Sequence, residues 1–284
     1  MLSHAATRAR GLASRLARLR HGRRRGARPL DGLVLDPSLQ PDVERAISMV
    51  QPFSMLSRNR LSILYELVAY VDTYCIAGAL VECGVWKGGA VGMMAYAART
   101  RDGQRDLHLF DAFADICEPD HRIDGARAVG EAGGLEYAQG RLQSIQGIYS
   151  DRGGHGTLEE CRSLIETRIG YDPARVHYHA GWFQDSLPTA APVLGPIAIL
   201  RIDADWYAST KVCLDALYSL VSPGGAVIVD DYGAYDGCRL AVDEFLSAHR
   251  VRVFLNHVDT ECIYWFRETR GGNVAAGAIA AHAG

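Results

Sequence analysis

Three aspartates stand at the ends of two apolar segments, where their carboxylates could share one cation. Asp203 follows the apolar run 197–202, and Asp230 and Asp231 follow the run 226–229. If the runs are neighbouring parallel strands, about 4.8 Å apart, the three carboxylates converge at one edge of a sheet. They repel one another unless a cation neutralises them. Oxygen ligands favour Mg²⁺, with Mn²⁺ or Ca²⁺ as alternatives, and zinc is disfavoured because neither His nor Cys flanks the cluster. The competing interpretation is a set of loop aspartates in an acidic chain.

A glycine turn over residues 82–89 is a second candidate site. It lies between a short apolar run and a helix-compatible segment, and it matches neither the dinucleotide pattern nor a phosphate-binding P-loop. An acid before the first glycine suits a cationic or hydroxylated ligand, and S-adenosylmethionine carries an amino group and a sulfonium. The candidate cofactor-binding residues of this turn are Glu82, Gly84, Val85, Trp86, Gly88 and Gly89.

Further candidate cofactor residues follow other predicted strands. Asp111 ends the second strand, where an acid can accept hydrogen bonds from both ribose hydroxyls; alternatively, it caps the next helix. Phe113, Gly181 and Trp182 lie just beyond strand ends, and the aromatic rings either flank adenine or belong to the core. Asp203 also lies at this edge and is counted with the cofactor residues.

The hydrophobic pattern predicts the elements that position these residues. Alternating strands and helices predict a doubly wound, mostly parallel α/β sheet preceded by N-terminal helices. The strand C-termini, and therefore the candidate residues, then meet at one edge. Helices are expected over 41–75 (divided at Pro52), 89–99, 158–169, 210–220 and 238–249. Strands are expected over 79–81, 106–110, 175–179, 197–202, 226–229, 251–254 and 263–266, with a turn at 222–225.

Residues 114–156 show weak periodicity and many Gly, Asp and Arg residues. Loops of this length are uncommon and usually functional. We predict that this segment is a lid or an acceptor-binding loop.

Composition excludes several classes of protein. The net charge is −3, but residues 1–30 contain nine arginines and no acid, so the remaining chain is strongly acidic and does not suit a nucleic-acid binder. Seven cysteines without a C-x-x-C pair disfavour a disulfide framework or structural zinc and fit a reducing cytoplasm. No apolar run has the roughly 18–20 residues of an integral membrane segment.

The predicted organisation is one domain with two tails. Residues 29–270 are expected to form the catalytic domain, and 271–284 a flexible C-terminal tail. Residues 1–28 are expected to be a basic, disordered tail, the alternatives being an amphipathic helix on an anionic membrane or a transit-like segment.

The motifs together resemble the macrocin O-methyltransferase (TylF/MycF) family from about residue 45 to 267. The blocks that carry the resemblance are LVECGVWKGG (80–89), LFDAF (109–113), GWFQDSLP (181–188), RIDADWY (201–207), SPGGAVIVDDY (222–232) and IYW (263–265).

The resemblance implies a class I methyltransferase fold with a seven-stranded Rossmann-like sheet, S-adenosylmethionine, Mg²⁺ at Asp203, Asp230 and Asp231, and a homo-oligomer. It also implies methylation of a sugar hydroxyl on a glycosylated natural product, such as a macrolide. Alternatives are a catechol-like diol, a polysaccharide sugar, or a non-catalytic protein at a membrane.

The proton acceptor is the open point of this hypothesis. Catechol-type relatives place a lysine base three residues past the first metal ligand, and that position is Trp206 here. The candidates are therefore His257, Asp205 and Asp203 itself. A metal-bound hydroxyl group needs only weak help from a base.

Overall fold

The computed structural model describes residues 38–101 and 105–268, so the predicted tails lie outside the described residues. The described chain forms a seven-stranded sheet. The strands are β1 (Ala79–Cys83), β2 (Leu107–Asp111), β3 (Val176–Ala180), β4 (Ile197–Ile202), β5 (Val221–Val229), β6 (Asn256–His257) and β7 (Ile263–Phe266). Their order in the sheet is β3-β2-β1-β4-β5-β7-β6. Strands β1 to β5 are parallel, and β7 is antiparallel to both β5 and β6. The predicted doubly wound α/β fold with N-terminal helices is confirmed.

Eight helices flank the sheet within the described ranges. They are α1 (Gln40–Val50), α2 (Arg58–Thr73), α3 (Gly89–Thr100), α4 (Gly125–Glu131), α5 (Leu158–Arg162), α6 (Phe183–Leu194), α7 (Tyr207–Leu217) and α8 (Asp236–Ala248). A 3₁₀ turn at Gln51–Phe53 contains Pro52 and separates α1 from α2, and a π-helix at Ser163–Ile169 continues α5. None of these helices is long and apolar enough to cross a membrane.

Two hydrophobic layers enclose the sheet because successive strand side chains point to opposite faces. On β5, Ala226 and Ile228 join the layer that contains α1, α2 and α3. Val227 and Val229 join the layer that contains α6, α7 and α8. All seven cysteines are free thiols, as their spacing predicts.

The structure differs from the predicted elements in four places. Helix α6 is not among the predicted helices, because Pro188 and Pro192 interrupt its hydrophobic pattern. The expected loop contains α4 and two 3₁₀ turns. The predicted turn at 222–225 is an irregularity inside β5, where the register with β4 shifts. The strand expected over 251–254 is wrong: this segment is unpaired, Phe254 is exposed, and β6 begins at Asn256.

Candidate active site

The glycine turn after β1 packs directly against the end of β4. Gly84 has a φ of +84°, and a Cβ atom there would overlap the carbonyl oxygen of Asp203. The amide of Asp203 donates a hydrogen bond to the carbonyl of Cys83 at 2.8 Å. Since only glycine permits this approach, the candidate cofactor turn and the first candidate metal ligand are immediate neighbours.

The last two glycines of the turn shape the start of α3. Gly88 is the N-cap, with a φ of +89°. Gly89 packs so closely that a Cβ atom would lie 2.5 Å from the carbonyl oxygen of Phe53. These two glycines set the direction of α3 and are not among the residues that line the cavity described below.

Asp111, at the end of β2, holds the glycine turn in place. One carboxylate oxygen accepts from the amides of Val85 and Trp86, at 2.5 and 3.0 Å, and the other accepts from the amide of Phe113 at 2.7 Å. Burial raises the pKa of Asp111, and these three backbone donors oppose the rise. Asp111 does not cap the next helix, as the alternative interpretation expected, because α4 begins at Gly125 with Asp124 as its N-cap. The ribose role stays a prediction.

The three candidate metal ligands do converge. One carboxylate oxygen from each of Asp203, Asp230 and Asp231 lies within 4.8 Å of the others. Burial raises the pKa of Asp231, and the neighbouring carboxylates of Asp205 and Asp203 raise it further. Clustered, partly desolvated oxygens of this kind are the donor set that a hard divalent cation takes, so the residues present fit a magnesium ion.

Arg201 is the centre of the ion pairs beneath this cluster. Its guanidinium is buried and donates to Glu82, to Asp203 at 2.9 Å and to Asp230 at 2.8 Å. The second carboxylate oxygen of Glu82 is buried without a hydrogen-bond partner in the described ranges. Burial raises the pKa of Glu82 to about 8, against the opposing effect of Arg201. Glu82 therefore lies under the site and is paired with a protein cation.

A second arginine, which is not among the predicted site residues, also reaches the cluster. Arg60 of α2 donates to the other oxygen of Asp230 at 2.6 Å, and it pairs with Asp259 and Glu261. No sequence pattern connects Arg60 with Asp230, because 170 residues separate them.

Asp205 and Trp206 follow the first ligand and differ in role. Asp205 lines the cavity, has a φ of +57°, and its amide donates to Asp231 at 3.3 Å. Trp206 is buried, and its indole N–H donates to the carbonyl of Cys117 at 2.9 Å. The position that carries lysine in catechol-type relatives is therefore occupied by a structural anchor.

The other predicted site residues are not all brought together. Trp182 lines the cavity, whereas Gly181 and Phe113 lie beside it and do not. His257 is exposed on β6 and lies outside the cavity lining.

A cavity of about 510 Å³ opens at the carboxyl edge of the sheet, where the glycine turn meets Asp203. Gly84, Trp86 and Asp111 line one part of it, and Asp203 and Asp205 line another. Residues 114–156, called the acceptor loop after one of their two predicted roles, contribute most of the remaining wall, including the apolar Ile116 and Leu142 and the half-buried Tyr149. Burial raises the pKa of Tyr149, and nearby Asp205 and Asp203 add to the rise, so this phenol stays protonated.

The acceptor loop is attached to both halves of the site. Near its start, Cys117 accepts the hydrogen bond from Trp206, and Asp124 accepts from the amide of Tyr207 at 2.8 Å. Near its end, the indole N–H of Trp86 donates to the carbonyl of Gly154 at 3.1 Å. This segment therefore borders the cavity, and its role as a lid or an acceptor-binding loop stays a prediction.

Comparison with protein families matches residues 42–133 and 159–267 to the macrocin O-methyltransferase (TylF) family. Demethyldecarbamoylnovobiocin O-methyltransferase of Streptomyces niveus is 35% identical over 215 residues, 75% of either chain. The 8-demethyl-8-(2,3-dimethoxy-alpha-L-rhamnosyl)-tetracenomycin-C 4'-O-methyltransferase of Streptomyces olivaceus is 32% identical over 213 residues, 75% of this chain and 74% of the relative. The solved structure of the O-methyltransferase NovP aligns with a TM-score of 0.62 and 33% identity, covering 76% of this chain and 83% of NovP.

Proposed function

We propose, because the chain belongs to the macrocin O-methyltransferase family, that it methylates a sugar hydroxyl on a natural product with the help of Mg²⁺. Membership of this family makes the chain an S-adenosylmethionine-dependent O-methyltransferase. The relatives' names support the acceptor class, since one specifies 4'-O-methylation of a rhamnosyl tetracenomycin. The observation that carries the proposal is that Asp203, one member of the aspartate cluster, lines the same cavity as the glycine turn.

Two neighbouring parts of the cavity suit the two reactants, the methyl donor and the acceptor. S-adenosylmethionine is placed along Gly84, Trp86, Asp111 and Trp182, where backbone and aromatic surfaces are available. The acceptor hydroxyl is placed next to Asp203, which lies against the glycine turn. Methyl transfer is an in-line displacement, so holding the two reactants in contact supplies most of the rate enhancement.

The metal is placed at Asp203, Asp230 and Asp231. A bound Mg²⁺ would orient the acceptor oxygen and lower the pKa of its hydroxyl group. The chain's own contribution is to hold the ligands: Arg201 fixes Asp203 and Asp230 through its buried guanidinium. The Asp205 amide contacts Asp231.

Asp205 is our choice for the residue that takes the acceptor's proton. It lines the cavity two residues beyond Asp203, whereas His257 is exposed outside it. Asp203 remains a ligand in this assignment, because its second oxygen is already bound to Arg201.

The test is a methyl-transfer assay with isotopically labelled S-adenosylmethionine and matched pairs of glycosylated natural products and their aglycones. Label is expected on the sugar of a glycoside and absent from the aglycone. Chelation with EDTA should abolish transfer, and added Mg²⁺ should restore it. Full activity in EDTA would exclude the metal role, and methylation of the aglycone would exclude the sugar acceptor.

A further inference from the structure

Arg60 is shared among three carboxylates that come from different parts of the chain. Its guanidinium lies 2.6 Å from Asp230, 2.7 Å from Asp259 and 2.6 Å from Glu261, and 13% of the side chain is exposed. Glu261 also pairs with the exposed Arg127 of α4. Arg60 is therefore a cation whose attraction is divided between one candidate metal ligand and two acids outside the ligand set.

The three candidate metal ligands differ in the charge that surrounds them. Both oxygens of Asp230 accept hydrogen bonds from arginines, one from Arg201 at 2.8 Å and one from Arg60 at 2.6 Å. Asp203 contacts Arg201 through a single oxygen, and Asp231 accepts from the Asp205 amide. Asp230 is thus the ligand whose negative charge is most fully neutralised by the protein.

We propose that Arg60 is a positioning residue that acts through Asp230 and weakens the binding of the divalent cation. This inference rests on the proposed metal site. A cation bound to Asp230 lies close to the Arg60 guanidinium in a poorly solvated region, where like charges repel strongly. Asp259 and Glu261 partly neutralise the guanidinium charge and so counteract the effect. The protein's own charges then keep the ion exchangeable.

A purely structural role for Arg60 makes a different prediction. Asp259 also accepts from the amides of Glu261 and Cys262, both at 2.9 Å, so Arg60 helps to hold this loop against α2. If that were its only role, loss of Arg60 and loss of Glu261 would both loosen the site. The electrostatic role predicts opposite signs, because the first change removes a positive charge and the second removes a negative one.

The experiment measures Mn²⁺ binding to the full chain by electron paramagnetic resonance, without methyl donor or acceptor. Arg60→Met is expected to lower the Kd by about fivefold or more, and Glu261→Gln to raise it by about twofold to fivefold. Arg60→Lys loses the paired hydrogen bonds to Asp259 but keeps the positive charge. Its Kd should therefore stay within about twofold of the wild-type value. Asp215→Asn, in an exposed pair with Lys211, is the control and should leave the Kd unchanged.

Each result has a defined meaning. Circular dichroism first establishes that each variant is folded, and Glu261→Gln and Arg60→Lys keep the test decisive if Arg60→Met does not fold. Weaker binding in Arg60→Met, or tighter binding in Glu261→Gln, overturns the inference while leaving the metal site intact. An absence of Mn²⁺ binding in the wild type overturns the metal site, and the inference with it.

Discussion

Asp205 has a left-handed backbone between two buried residues. Its φ is +57°, while Ala204 and Trp206 are both in the core. This conformation costs a residue with a side chain about 1–2 kcal/mol, less for Asp and Asn than for most, and such strain concentrates at functional sites. The packing of its neighbours therefore holds Asp205 where its side chain borders the cavity.

Asp205→Asn tests the assignment of the proton acceptor with little change of shape. Asparagine tolerates the left-handed conformation, but its amide cannot take the proton. We expect kcat to fall by about 10²–10³-fold, with the Kd for S-adenosylmethionine within about twofold of the wild type. Steady-state kinetics and calorimetry give the two quantities.

The competing variant is His257→Gln. A large loss of kcat in that variant, with Asp205→Asn fully active, would transfer the role to His257. A loss of cofactor binding in Asp205→Asn would instead indicate that Asp205 supports the cofactor.

The carboxylates of the site could be predicted from the sequence, but their partners could not. Asp203, Asp230 and Asp231 end apolar strands, and parallel strands bring such ends together. Arg201 appears in the sequence only as an interruption of an apolar run, yet it is buried and pairs with three acids. The packing of α2 brings Arg60 to Asp230, and no local sequence pattern indicates this contact.

At the scale of elements, β2 and β3 carry a stack of imidazoles. The rings of His108 and His177 have centroids 4.5 Å apart, and His179 stacks on Phe110 at 4.2 Å. The pKa of His108 is lowered from 6.5 to about 4, chiefly by burial and also by the nearby His177 and His179, against the opposing effect of Asp106. Burial also lowers the pKa of His179. His108 and His179 are therefore neutral in the folded protein at neutral pH.

This stack predicts a loss of stability in acid. Because the pKa of His108 is lower in the folded chain, the unfolded chain binds more protons between pH 6.5 and 4. The free energy of unfolding should decrease as pH falls through that window, by on the order of 1 kcal/mol between pH 7 and 5 after allowance for partial exposure. Urea unfolding at the two pH values measures it.

His108→Asn is the matched variant, since an amide keeps hydrogen-bonding capacity without titrating. Its free energy of unfolding should change less between pH 7 and 5 than that of the wild type. An equal change in both chains would contradict the role given to the stack.

The helices and strands could be predicted where the hydrophobic residues follow a single helical or strand spacing. The strands β1, β2, β4 and β7 and the helices α1 to α3 follow from apolar spacing. Helix α6 does not, because tertiary packing of Leu187 and Ala190 outweighs its two prolines. Helix α4 is short, with Ala128 as its single buried residue, so its sequence carries almost no helical period.

At the scale of the whole molecule, the arginine-rich segment and the residues of the candidate site lie in different parts of the chain. The residues that line the cavity lie between Met55 and Val212, whereas nine arginines fall within residues 1–30. The basic segment is thus distant in sequence from every residue placed at the site.

Assembly into a homo-oligomer stays a prediction.

Deletion of residues 1–28 is expected to leave the methyl-transfer rate and the thermal midpoint unchanged, because no described residue of the site is removed. A radiometric assay and differential scanning fluorimetry compare the two chains. A large loss of rate would contradict the prediction.

Sedimentation with anionic vesicles tests the membrane alternative for residues 1–28. Binding by the full chain but not by the deletion variant, weakened by salt, would support that alternative.

The attachment of the acceptor loop to Trp206 and Trp86 has an evolutionary consequence. Between the carbonyls of Cys117 and Gly154, which these indoles bind, the chain can change in length and composition while the transfer machinery stays fixed. The matched family segments stop at 133 and resume at 159, inside and just after this interval. If this loop binds the acceptor, as we predict, acceptor preference is inherited as an exchangeable segment. New substrates can then be acquired without altering the residues that we place around the methyl group.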